Sequence, residues 1–395
     1  MALRFPRTCE MRIQKVPLRP CHLAIPFGRS LCNASVWLGL IACQWLAVCS
    51  AGRGQDRIPP TSSQTLQWRA LADLPDPLGL AGPIVGVHAD TLIVGGGANF
   101  PKPVWETSKR WHTRLFLLNL ADTQAQWLPA GNLAAPLAYA ACASTPYGVV
   151  VVGGNDDQRV CSECWVLSVR GSAVEQKRLP DFPSPLVYAQ AVWLENRVLV
   201  FGGQQGQNLE SAQAELWELD LTDWNTDRAS KWQRLPDCPG GRRAHHMLVP
   251  IGSGQSSQVM LIGGRRQQGQ AVEFLRDCWK YDLAERKWFP VQSLPVAVSA
   301  GAAANFEDRT IAVFSGDDGA LFLKTDELRD RHPGFPKRAW LYDLSSNRWS
   351  DGGSTPTNQV TTTPVMWRGR AHLLSGEVRP RVRTNLNWEI RLEGR

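Results

Sequence analysis

Apolar residues in this chain come in short continuous runs, each closed by two small residues and followed by polar sequence. Six runs stand out: Leu92-Ile-Val-Gly-Gly96, Val150-Val-Val-Gly-Gly154, Leu199-Val-Phe-Gly-Gly203, Met260-Leu-Ile-Gly-Gly264, Ala312-Val-Phe-Ser-Gly316 and His372-Leu-Leu-Ser-Gly376. Short β-branched runs without alternation predict strands buried on both faces. A small-residue strand precedes the run, as in Ala138 to Ala143 or Ala300 to Ala304. Small side chains suit a crowded innermost position. After each run come a loop and a third strand: Leu115 to Leu118, Cys164 to Leu167, Leu216 to Leu219, Cys278 to Tyr281, Ala339 to Tyr342 and Asn387 to Ile390. A polar turn then leads to a fourth strand marked by Trp127, Trp232, Trp288 or Trp349. The second unit has Gln176 to Pro180 in that place.

The small-residue pairs recur every 49–61 residues, near the kelch period of roughly 50. The expected fold is all-β: one six-bladed kelch-type β-propeller over residues 60–395. The tryptophans, which account for much of the count of 17, are expected between blades. The last unit stops after its third strand. An unassigned strand, Leu66 to Ala70, precedes the first unit. It should supply the missing fourth strand, closing the ring and leaving no long open edge. The longest excursion, Asp317 to Lys337, falls within the fifth blade and has room for a short helix or lid.

Charge adds little to this picture. The net charge is +7, but residues 1–55 hold seven Arg and Lys against Glu10 alone, and the rest is only mildly basic. No basic stripe interleaved with stacking aromatics supports a nucleic-acid partner. Residues 1–55 read instead as an export leader. A basic stretch precedes the apolar run Val36 to Cys49, and small residues follow to Ala51. At about 14 residues the run is shorter than the roughly 20 that span a bilayer. The expectation is an exported chain, periplasmic or secreted, with any membrane anchor confined to the leader. Five of the ten cysteines also lie there. In the body, Cys161-Ser-Glu-Cys164 lacks the second ligand pair a zinc site needs. Buried thiols or one disulfide both remain open for that pair.

The loops joining the second and third strands should emerge on one face around the central channel. They carry Asn99, Asn155-Asp-Asp157, Gln204-Gln205, Arg265-Arg266, Asp317-Asp318 and the segment Glu377 to Arg383. Glu377 directly follows the strand-end glycine, a rigid position for a general acid or base. Arg383 has a guanidinium fork able to grip a carboxylate. Together they suit proton transfer on a small acidic substrate. The same residue types also suit a loop salt bridge from Glu377 to Arg379, Arg381 or Arg383.

At these residues the chain resembles the kelch-type sialic acid mutarotases, or N-acetylneuraminate epimerases, in their cyclically permuted branch. Gly95-Gly-Gly-Ala-Asn-Phe-Pro101, with Trp105 and Trp111-His112 after it, carries one part of the resemblance. Ser375-Gly-Glu-Val-Arg-Pro-Arg-Val-Arg-Thr384 carries the other and is similar to the family's Gly-Glu-x-Lys-Pro-x-x-Arg-Thr, with Arg379 in the lysine place. The resemblance implies that Glu377 is a proton acceptor and Arg383 a functional arginine. It implies interconversion of the α and β anomers of N-acetylneuraminate or a related acidic sugar. Glu377 would move the anomeric proton and Arg383 would hold the substrate carboxylate. Asn99, Arg265, Arg266 and Arg379 are expected as further binding residues. Such a reaction needs no metal or redox cofactor. Asp317 and Asp318 depart from what a face built for an anion calls for.

Other carbohydrate chemistries fit less well. The chain has no Ser-x-Asp-x-Gly-x-x-Trp box of the sialidase kind, and its five tyrosines show no copper-oxidase set. The remaining alternative is an exported, non-enzymatic propeller that captures a glycan or a protein.

Overall fold

The computed structural model describes residues 62–224 and 231–394. The expected export leader over residues 1–55, and with it the localisation and any anchor, lies outside the described residues. Among the described residues no helix is long and apolar enough to cross a membrane.

Six sheets follow one another along the chain, each with four antiparallel strands; the short strand Arg110–Trp111 adds to the first. The second strand of each sheet holds its longest buried run. Thr310–Phe314 and Gly148–Val152 are buried at every position. This is why these runs carry no polar alternation: a neighbouring blade covers each face. Six apolar clusters fill the blade interfaces, one each, and a seventh, with Ala81, Ala98, Ala138, Tyr139 and Val187, lies towards the axis. The fourth-strand tryptophans complete these interfaces. Trp127, Trp288 and Trp349 are buried, and their indole N–H groups donate to backbone carbonyls of Ala72, Pro236 and Gln292 on the preceding blade at 2.8–2.9 Å. Trp232 does the same to Pro180.

The ring closes through Thr65–Ala70, which pairs antiparallel with Asn387–Glu393 from Thr65 opposite Glu393 to Ala70 opposite Trp388. The first described strand is thus the outermost strand of blade six. Arg69 crosses this seam to Glu389, a 2%-exposed carboxylate that also meets Arg370 and Arg391.

Near the axis the innermost strands start later than their composition suggests, at Ala141 and Ala302 rather than Ala138 and Ala300. A residue at or shortly before the start of each innermost strand turns the chain. Tyr139, Tyr188, His245, Ala300 and Thr361 sit at φ of 55–57°, with Gly82 at 56° in blade one. Each of the six passes a backbone hydrogen bond to the previous blade: Tyr139 to Gly82, Tyr188 to Tyr139, His245 to Tyr188, Ala300 to His245, Thr361 to Ala300 and Gly82 to Thr361, at 2.7–3.1 Å. The result is a closed circle of six N–H···O=C bonds. Left-handed angles cost a non-glycine residue of order 1 kcal/mol. Here each strained residue gains a bond that only the assembled ring provides.

The excursion in blade five holds one helical turn, Thr325–Leu328, flanked by the 3-10 segments Phe322–Lys324 and Arg329–Arg331. All five body cysteines are buried free thiols, so Cys161 and Cys164 form no disulfide.

Candidate functional site

Blade six turns from its second strand into a hairpin, Glu377–Arg379 against Val382–Arg383, with Arg381 at φ 66° in the turn. Buried amides fasten its base. Gln359 donates to the carbonyls of Ser375 and Leu386, and Asn358 to that of Val378 at 2.8 Å. The Ser375 hydroxyl takes the Leu80 N–H at 2.8 Å and donates to Thr384 O at 2.8 Å, tying blade six to the start of blade one. Gly79 makes that approach achievable. At φ 72°, a Cβ there would lie 2.1 Å from Thr384 O.

The hairpin sets Glu377 directly opposite Arg383. Glu377 Oε1 accepts the Arg381 N–H at 2.7 Å and Arg383 Nη1 at 3.1 Å. The Arg383 side chain is only 3% exposed and that of Glu377 14%. Burial opposes the arginine's charge, but Glu377, Tyr139 and Tyr188 outweigh it and its pKa rises. The Arg383 Nε is buried with no hydrogen-bond partner among the described residues. Both Arg381 and Arg383 lie within 5 Å of the Phe100 ring. The two sequence motifs that carry the resemblance, about 280 residues apart, therefore touch.

The circle of turning residues supplies the floor. Its side chains are unequal: tyrosine, tyrosine and histidine on blades two to four, then alanine, threonine and glycine on blades five, six and one. Tyr139 and Tyr188 have ring centroids 4.8 Å apart, and Tyr188 stacks on His245 at 4.2 Å. A cavity on the axis is lined by these six residues and their neighbours along the innermost strands. Burial, with Arg265 and His246 adding, holds the His245 pKa well below its usual value. The neutral ring accepts Arg265 Nη2 at 3.1 Å. Arg265 in turn lies against Phe274 and Phe322 and is electrostatically coupled to Asp317, Tyr188 and Glu377. Burial lowers its pKa against those three raising influences.

The structure thus brings Glu377, Arg383 and Arg265 to one mouth. Three other sequence candidates have side chains committed elsewhere. Asn99 is 2% exposed and donates to Gly79 O at 3.0 Å, holding the loop under the hairpin. Arg266, turned to the opposite face of its strand from Arg265, pairs with Glu273 at 2.7 Å and Gly240 O at 3.0 Å. Arg379 reaches outward to Asp330 on the blade-five excursion at 3.0 Å. Sequence reasoning overlooked Tyr139 and Tyr188. Their signal was the place ahead of the innermost strand, where units two to four carry Tyr139, Tyr188 and His245 in an otherwise small-residue stretch. No group of three or more His, Cys, Asp or Glu able to hold a metal occurs among the described residues.

Known proteins agree with the architecture. The chain is 24% identical over 242 residues to N-acetylneuraminate epimerase of Yersinia enterocolitica, covering 55% of this chain and 58% of that protein. It is 22% identical over 231 residues to N-acetylneuraminate epimerase of Salmonella enteritidis, covering 53% and 56%. The chain therefore spans a little over half the length of the curated relatives it matches. The solved structure of YjhT superposes with a TM-score of 0.62 at 13% identity, over 82% of this chain and 99% of that one, a likeness of fold. The KLHDC2/KLHL20/DRC7 kelch-repeats domain matches residues 82–316, more than half of the chain, and the chain belongs to that family.

Proposed function

We propose that this protein is a mutarotase that interconverts the anomers of N-acetylneuraminate or a related acidic sugar. The observation that carries the reading is the Glu377–Arg383 pair at the mouth of the propeller, a carboxylate 3.1 Å from a buried guanidinium. Glu377 Oε1 is held by two N–H donors, whereas no hydrogen bond reaches Oε2 among the described residues. The second oxygen is therefore the one left to take a proton. Ring opening requires loss of the anomeric hydroxyl proton and protonation of the ring oxygen. Closure on the other face of the carbonyl inverts the anomeric centre. Glu377 takes and returns the hydroxyl proton. Arg383 holds the substrate carboxylate beside the anomeric carbon, which orients it for attack. The aromatic half of the floor offers an apolar surface to the sugar, and the small half leaves room for it.

The test is proton NMR of α-N-acetylneuraminate released in place by a sialidase, following the approach to the β-rich equilibrium. The protein should accelerate it, and Glu377→Gln should remove the acceleration while leaving sugar binding in place. Equal behaviour of Glu377→Gln and wild type with every acidic sugar would leave a binding propeller instead.

A further inference from the structure

Six residues occupy one equivalent position, directly after a Gly-Gly or Ser-Gly pair. They are Ala98, Asn155, Gln204, Arg265, Asp317 and Glu377. Each pairs with the residue before the turning residue of its own blade: Ala138 with Asn155, Val187 with Gln204, Ala244 with Arg265, Ser299 with Asp317 and Val360 with Glu377, with Ala81 and Ala98 in register in blade one. The propeller's rotation therefore sets Asp317 and Glu377 side by side around the axis, with Arg265 next in order. Blades five and six share a further feature: both end the second strand in Ser-Gly, and both follow it with an acid. These two acids stand over the half of the floor that carries Ala300, Thr361 and Gly82.

The two carboxylates have different surroundings. Glu377 receives a guanidinium and a backbone N–H on one oxygen. Asp317 receives the Gly319 N–H at 3.0 Å, and no side-chain donor reaches it among the described residues. Its charged neighbours are Arg265 from blade four and Asp318 and His332 from its own excursion, with Glu377 at the equivalent place on blade six. Burial raises the Asp317 pKa, and neither the Gly319 amide nor Arg265 offsets it. Two carboxyl groups at equivalent places on adjacent blades, one gripped by a guanidinium and an amide and the other by a single amide, are the pattern of a base with an acid.

We propose that Asp317 is the proton donor to the sugar ring oxygen, the acid opposite Glu377. The assignment rests on the mutarotase reading. In ring opening, Glu377 takes the anomeric hydroxyl proton as the carbonyl forms. The bond between the anomeric carbon and the ring oxygen breaks, and Asp317 gives its proton to that oxygen. In closure, Asp317 takes the proton back from the chain hydroxyl as that oxygen attacks, and Glu377 returns its proton to the carbonyl oxygen. No net proton is gained or lost, and no oxidant, reductant or metal enters.

The experiment is the pH profile of kcat and kcat/KM for the full chain and for Asp317→Asn and Asp317→Glu, from the same NMR assay after subtraction of the uncatalysed rate. Asparagine keeps the acceptor for the Gly319 amide and removes the acid. The expected result for Asp317→Asn is a kcat lower by about 100-fold or more, with KM within about threefold of wild type. The fall of wild-type kcat/KM at high pH should vanish in this variant. Asp317→Glu should restore part of the rate with the basic limb displaced. An active wild type with an Asp317→Asn variant of equal kcat and unchanged basic limb overturns this assignment alone and leaves the mutarotase reading standing. Should Asp317→Asn not fold, an Asp317→Glu variant with an undisplaced basic limb overturns it. A wild type without acceleration overturns both together.

Discussion

The seam that closes the propeller can be tested through one carboxylate. Glu389 lies on the last strand at 2% exposure, and Arg69 from the first strand meets it at 2.7 Å. Arg391 adds a contact at 3.0 Å and Arg370 one at 3.2 Å. Burial alone would raise the Glu389 pKa, but Arg69, Arg391 and Arg370 reverse that and bring it from 4.5 to about 2. A depression of that size corresponds to about 3 kcal/mol at neutral pH. The three guanidiniums are 36–49% exposed, so solvent screening reduces the figure to about 2 kcal/mol. The folded pKa is below the unfolded one. The stabilisation is therefore complete above about pH 4.5 and is lost as the pH falls through about 2. Urea unfolding of wild type and Glu389→Gln should differ by about 2 kcal/mol at pH 7. Less than half of that gap should remain at pH 3. A gap equal at the two pH values, or one that widens on acidification, would refute the assignment of the seam's strength to this charge. Unchanged urea midpoints at pH 7 would show that Thr65–Ala70 is held by its ladder and apolar contacts alone.

Three further outcomes follow from the same geometry. Arg383→Lys keeps a charge but loses the fork, so KM for an acidic sugar should rise about 10-fold or more while melting shifts little; calorimetric titration checks the affinity. Gly79→Ala places a Cβ 2.1 Å from Thr384 O at φ 72°. It should cost about 2 kcal/mol or more and lower activity with stability, measured by calorimetry and the NMR assay side by side. His246 is 1% exposed with both ring nitrogens unpartnered among the described residues, and burial, with Arg243 adding, lowers its pKa to about 3. Its lowered pKa means that wild type loses stability as the pH falls from about 6.5 through 3. His246→Phe should escape that loss and be the more stable form at pH 4, as acid titration by circular dichroism would show.

The sequence by itself determined the blade count, the strand order and the borrowed seam strand. Each of these rests on a local pattern: an unalternating apolar run, a Gly-Gly or Ser-Gly end, or a tryptophan in the fourth strand. Such patterns are legible because burial on both faces constrains residue type at every position of a short strand. It also singled out Glu377 and Arg383 as a pair that could meet, because both belong to one hairpin six residues apart. The tertiary structure alone decided which polar groups meet. Arg265 comes to the mouth, while its neighbour Arg266 turns away to Glu273, a difference of one residue in strand alternation. Asn99 serves Gly79 rather than the mouth because Gly79 lets the loop approach Thr384. Tyr139, Tyr188 and His245 form one ridge only because six turning residues, spread over about 280 positions, are bonded into a circle. Sequence spacing fixes what lies along a strand. Convergence around an axis depends on how blades pack, and no local pattern encodes it.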